Sequence, residues 1–145
     1  MLRWLANVMK SATVAAVVPA DQIAGGRSEL GDRGENRAAR FLRNKGYKIL
    51  LRNFDSGAGE IDIIARDGKT LVFVEVKTRS YDDPTPEDQV NERKQHQLTK
   101  AAKVYLTRYG FPQPPARFDV VAVLWTHGGR EPIIRHTPDA FEATF

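Results

Sequence analysis

Charged side chains set into apolar, β-branched runs are the first sign of chemistry in this chain. The segment GEIDIIARDGKTLVFVEVKTR, residues 59–79, holds two such runs, 61–65 and 71–76, on either side of Asp67-Gly68. An Asp-Gly pair between β-type runs predicts a hairpin. Asp62 lies in the first run, Glu75 lies in the second, and Lys77 follows it. Side chains alternate along a strand, so Glu75 and Lys77 share a face with Leu71 and Phe73, and Asp62 shares one with Glu60 and Ile64. A two-residue loop at Asp67-Gly68 would pair Glu60 with Glu75 and put Asp62 diagonal to it. A four-residue loop would pair Asp62 with Glu75 directly. Either register gathers the acids on one face.

Val72, Val74 and Val76 line the other side of that strand, so both faces are apolar, as in a sheet covered above and below. Charges in such a strand are costly unless paired or bound to metal. Two neighbouring carboxylates repel, and a hard divalent cation such as Mg²⁺, with Mn²⁺ as its substitute, relieves the repulsion through carboxylate and water oxygens. Lys77 reaches the same spot. Acidic ligands with a nearby ammonium are the equipment for metal-assisted hydrolysis of a phosphodiester. The competing explanation is an ion-paired, solvated strand face, because an isolated E-x-K carries almost no information.

The elements that must position these groups follow from the flanking sequence. A helix is expected over 28–45, with Ser28 as N-cap and Gly46 as C-cap. Within it Glu35 shares a side with Ala38, Ala39 and Leu42, on or beside the buried stripe; the alternative is a rim glutamate pairing with Arg33 or Arg40. Residues 47–54 read as a first strand, 55–59 as a turn, and 80–87, with two prolines, as a loop. A second helix is expected over 88–109. Its stripe of Val90, Leu98, Ala101, Ala102, Tyr105, Leu106 and Tyr109 includes Lys94, which would point toward the sheet while Arg93 lies on another face. Strands at 117–125 and 131–136 complete the chain, joined at Gly128-Gly129, with 137–145 as a tail. His96, His127 and His136 have no metal-ligand spacing and read as surface residues. The result is α/β, a mixed sheet with a central antiparallel hairpin flanked by helices.

A length of 145 residues is one domain's worth. Hydrophobic content of 41% and charged content of 28% are those of a soluble globular protein. A net charge of +4 points weakly to an anionic partner. The absence of cysteine excludes disulfides, thiolate metal sites and cysteine nucleophiles. No run is long enough to span a membrane. Residues 1–27 faintly imitate a secretory signal, but Arg3 and Lys10 bracket the first apolar residues and Pro19 sits in the supposed cleavage site. They read instead as an N-terminal extension, flexible or an accessory helix, of a cytoplasmic protein whose single domain is 28–145.

An acid on a first helix, then an Asp and an E-x-K on adjacent strands, resembles the PD-(D/E)xK nuclease superfamily. More narrowly, GENRAARFLRNKGYKILLRN (34–53), the 59–79 segment and RFDVV (117–121), with Pro84, Asn91 and Lys94, resemble the YraN-type family of small bacterial proteins described as predicted endonucleases. The likeness covers about 31–123. It implies a restriction-endonuclease-like core (αβββαβ) with Asp62 and Glu75 as metal ligands and Lys77 positioning the attacking water. Glu35 would correspond to the helix acid of the Holliday-junction-resolvase branch, reaching the metal through water. Glu60 has no role in the general motif. The expected activity is Mg²⁺-dependent endonucleolytic cleavage of DNA, structure-selective on branched or junction DNA, with Lys94, Arg79 and Arg93 on backbone phosphates. A homodimer follows, because four-way junctions are two-fold objects. The rival expectation is a nucleic-acid-binding or scaffolding protein that keeps the fold without turnover. One departure stands out: the loop after Lys77 reads SYDDP where an aromatic-glycine pair is expected.

Overall fold

The computed structural model describes residues 29–80, 90–126 and 131–143. The 1–27 extension, the loop proline Pro84 and the Gly128-Gly129 turn lie outside them. Seven elements follow in order: α1 (Glu29–Asn44), β1 (Lys48–Asp55), β2 (Glu60–Asp67), β3 (Thr70–Ser80), α2 (Glu92–Leu106), β4 (Ala116–Trp125) and β5 (Ile133–Phe141). The strands form one five-stranded sheet in sequence order. Neighbours are antiparallel except β3 and β4, which run parallel because α2 carries the chain back across the sheet.

Each face of the sheet has its own helix and its own core. Ala38, Ala39 and Leu42 of α1 pack with Ile63, Ala65, Val72, Val74, Val121 and Val123. Leu98, Ala101, Ala102 and Tyr105 of α2 pack with Ile61, Ile64, Leu71, Phe73, Phe118 and Val120. Burying both faces explains the near-continuous apolar runs in β2, β3 and β4. The helices lie close to the sheet because glycine leaves room. A Cβ at Gly34 of α1 would overlap Thr78 Oγ1 on β3, and one at Gly59, just before β2, would stand 2.7 Å from the Gln97 carbonyl oxygen of α2.

The first helix has the expected bounds to within a residue, and Gly46 takes the left-handed φ of 94° that ends it. The second is shorter than expected over its described part. Asn91 is its N-cap, its side-chain oxygen accepting the Lys94 amide at 2.9 Å, so Val90 and Asn91 precede the helix. The last strand is longer than expected, continuing to Phe141 rather than ending at His136. It pairs with β4 alone, and an edge strand tolerates Pro138 and the irregularity between Phe118 and Val120 that accommodates it. Among the described residues no helix is long and apolar enough to cross a membrane.

Candidate functional site: an acid pair where two strands part

The hairpin closes with Asp67 opposite Thr70 and runs in register to Ile63 opposite Val74. Gly68 supplies the positive φ, 58°, that a tight hairpin loop needs. Continued one step, this register sets Asp62 against Glu75, the closer of the two alignments expected from sequence. The ladder stops there instead. Asp62 turns its carboxylate into the opening, where Oδ2 accepts the Val76 amide at 2.8 Å. Ile61 and Ile63, two residues apart, pack on opposite faces, so β2 twists at Asp62. Across from it, Asn53 of β1 falls between the pairs Arg52–Ile63 and Phe54–Ile61 and adopts a left-handed φ of 55°.

Asp62 and Glu75 therefore meet. Burial pushes the Glu75 carboxyl up to about 8, and the neighbouring Asp62 charge pushes the same way. The Lys94 and Lys77 ammonium groups pull against both. Lys94 Nζ stands 3.6 Å from Glu75 Oε1, with the glutamate side chain 12% exposed and the lysine 40%. Glu75 Oε2 is buried with no hydrogen-bond partner. A half-satisfied carboxylate beside a second carboxylate is what a hard cation would complete, so the donor set fits a divalent ion held by Asp62 and Glu75.

The other expected site residues are placed as follows. Glu35 is buried on α1, and its Oε1 accepts from Arg52 Nε and Nη2 and from Asn53 Nδ2 at 2.9–3.1 Å. It thus reaches β1 at the residue that faces Asp62. Among the described residues no three His, Cys, Asp or Glu side chains are grouped to hold an ion. Arg79 is half-buried near the end of β3 with Nη1 on the Thr78 carbonyl, and Arg93 is exposed on α2. Glu60 is exposed at the start of β2.

Sequence reasoning missed a second polar cluster on the α1 face. Asp119, fully buried in β4, receives Arg117 Nε at 2.9 Å, pairs with His136 Nε2 at 2.7 Å and accepts the Asp139 amide at 3.0 Å. Burial alone would raise its carboxyl, but hydrogen bonds from His136, Arg117 and the Asp139 amide outweigh it and hold the group below the usual carboxylate range. Arg117 also reaches Tyr47 Oη and Asp67. His136 is therefore not a surface residue: its side chain is 1% exposed. The available signal was parity, since Asp119 interrupts an apolar strand as Asp62 and Glu75 do.

Fold and site together define a mixed α/β protein, a five-stranded sheet between two helices with a carboxylate pair at a strand opening. Residues 34–123 match the model of the uncharacterised protein family UPF0102, and the chain belongs to that family. A UPF0102 protein of Trichlorobacter lovleyi is 45% identical over 125 residues, 85% of this chain and 98% of its own. One from Nocardia farcinica is 42% identical over 134 residues, 92% of this chain and 100% of its own. Another, from Symbiobacterium thermophilum, reaches 50% identity over 95 residues, 65% of this chain and 80% of its own.

Proposed function

We propose that the chain is a metal-dependent endonuclease that hydrolyses phosphodiester bonds of DNA. One observation carries the reading: two carboxylates, Asp62 and Glu75, crowd a strand opening with Lys94 3.6 Å from the second and a buried glutamate oxygen left without a hydrogen bond. The order helix, three strands, helix, strand supports a restriction-endonuclease-like core. When bound there, Mg²⁺ would lower the pKa of a coordinated water and neutralise charge developing on the scissile phosphate.

The chain's own groups divide the remaining work. Asp62 and Glu75 would hold the ion. Lys77, on the same strand face as Glu75, donates to the attacking water or to a phosphate oxygen. Lys94 is exposed enough to swing from Glu75 to substrate, and Arg79 and Arg93 meet backbone phosphates. Glu35 fixes Arg52 and Asn53 of β1 opposite Asp62 and acts on the site through them. None of these groups reads base edges, so sequence-specific cutting is not expected; structure-selective action on branched or junction DNA and a homodimer are analogies to resolvases.

A second reading, nucleic-acid binding without turnover, is favoured by Lys94 itself, which already supplies a positive charge to Glu75. Linear, single-stranded, flapped and four-way DNA incubated with Mg²⁺ or Mn²⁺ separates the two. Cuts are expected with the wild type and none with Asp62→Asn or Glu75→Gln, both folded by circular dichroism. Activity retained in either variant refutes the site, and binding without cuts favours the second reading.

A further inference from the structure

On the sheet face opposite the acid pair, α1 presents arginines at helical spacing. Arg33, Arg37 and Arg40 fall at i, i+4 and i+7, and so lie in one row along the helix. The row borders the β4–β5 side of the sheet, since Arg33 lies 4.6 Å over the Trp125 ring and Arg37 pairs with Glu131 just before β5. Between helix and strand is a cleft of about 410 Å³ lined by Arg37, Arg40, Phe41, Asn44, Glu131 and Ile134. Arg33 and Arg40 are exposed, as is Arg135 on β5. The rise from Arg33 to Arg40 is roughly 10 Å, the span of several phosphates along a polynucleotide strand.

Glu131 shows what this cleft accepts. Its carboxylate sits on the Arg37 guanidinium although its side chain is 74% exposed. An exposed carboxylate in this position is a weakly held internal anion, readily displaced by a stronger one. A phosphodiester brings the same charge with oxygens that match the guanidinium fork.

We propose that the α1–β5 cleft is a second nucleic-acid contact, in which Arg37 and Arg40 bind backbone phosphates after displacing Glu131. The inference extends the nucleic-acid reading but does not need the acid pair to cut. It places two arms of a polynucleotide on opposite faces of the sheet, one at Glu75 and Lys94, the other along α1.

The test is fluorescence anisotropy of the full chain in chelator, with a short labelled DNA duplex, its single strand and the matching RNA duplex as probes. Arg37→Gln with Arg40→Gln should weaken binding about five- to tenfold and reduce the salt slope by about one to two. Glu131→Gln should tighten it a fewfold, whereas Glu142→Gln, an equal change of charge outside the cleft lining, should not. Whichever probe shows both effects is the source of the phosphates. Unchanged binding and slope in the double arginine variant overturn the proposal, as does equal tightening by Glu142→Gln. A protein that never cuts, yet loses binding in the arginine variant, keeps the cleft and removes the nuclease.

Discussion

Glu75 carries a cost that can be measured without substrate. Its carboxyl is pushed from an ordinary 4.5 to about 8, mainly by burial and then by Asp62. The folded protein thus holds a proton that the unfolded chain releases earlier, so stability falls as pH rises through that window. The loss is on the order of a few kcal/mol for the metal-free protein, since each pKa unit is about 1.4 kcal/mol. Glu75→Gln has no such titration. In chelator, denaturant melts should show the variant gaining on wild type at pH 8, with the advantage gone near pH 5. Millimolar Mg²⁺ should then restore the wild type alone. A difference that ignores both pH and Mg²⁺ would mean that no charge is trapped there. This pair was legible in the sequence because strand period and loop length fix its parity by counting. Glu35 was legible only as an acid on or beside the buried stripe, with a rim position left open: its partners Arg52 and Asn53 lie 17 and 18 residues away on another element, where no local rule reaches.

Among the elements, the position of α2 decides whether Lys94 reaches Glu75. The helix lies tight against the residue that leads into β2: a Cβ added at Gly59 would stand 2.7 Å from the Gln97 carbonyl oxygen. A methyl group there cannot be relieved by a rotamer change, so the strand or the helix must shift. Gly59→Ala should cost about 1–3 kcal/mol and weaken Mg²⁺-dependent protection as the Lys94 end of α2 lifts. Gly110→Ala, where an added Cβ meets nothing within 4 Å, is the control and should be near neutral. Equal melting of the two variants would show that the contact is not tight. Helix and strand types were readable from apolar spacing, but two ends were not. The start of α2 turns on whether Asn91 is a cap or an interior residue, and only its bond to the Lys94 amide decides that. The end of β5 is hidden by Pro138, which suppresses a strand reading even though an edge position permits it.

For the molecule as a whole, the two faces of the sheet are used differently. The α2 face keeps an acid pair with one buried oxygen, Glu75 Oε2, left without a hydrogen bond, while the α1 face holds an acid bonded by a guanidinium, an imidazole and a backbone amide. Asp119 ties β4 to the irregular end of β5 through His136 and the Asp139 amide. Arg117 extends the tie to Tyr47 and to Asp67 at the hairpin end of β2. Removing a buried acid from such a network typically costs about 3–5 kcal/mol, because its cation partners remain behind. The Asp119 carboxyl lies below its ordinary 3.8, so its contribution is complete above that value and is lost as pH falls through the lower, folded one. Asp119→Asn should therefore unfold at markedly lower denaturant at pH 7 and lose the acid-side part of the pH dependence. Acid-pair function should behave independently, since the two clusters face opposite sides of the sheet: at permissive temperature the folded fraction of Asp119→Asn should bind Mg²⁺ as the wild type does. Loss of Mg²⁺ binding in fully folded Asp119→Asn would show that the faces are coupled through β4, and that the charge network belongs to the site rather than to the scaffold.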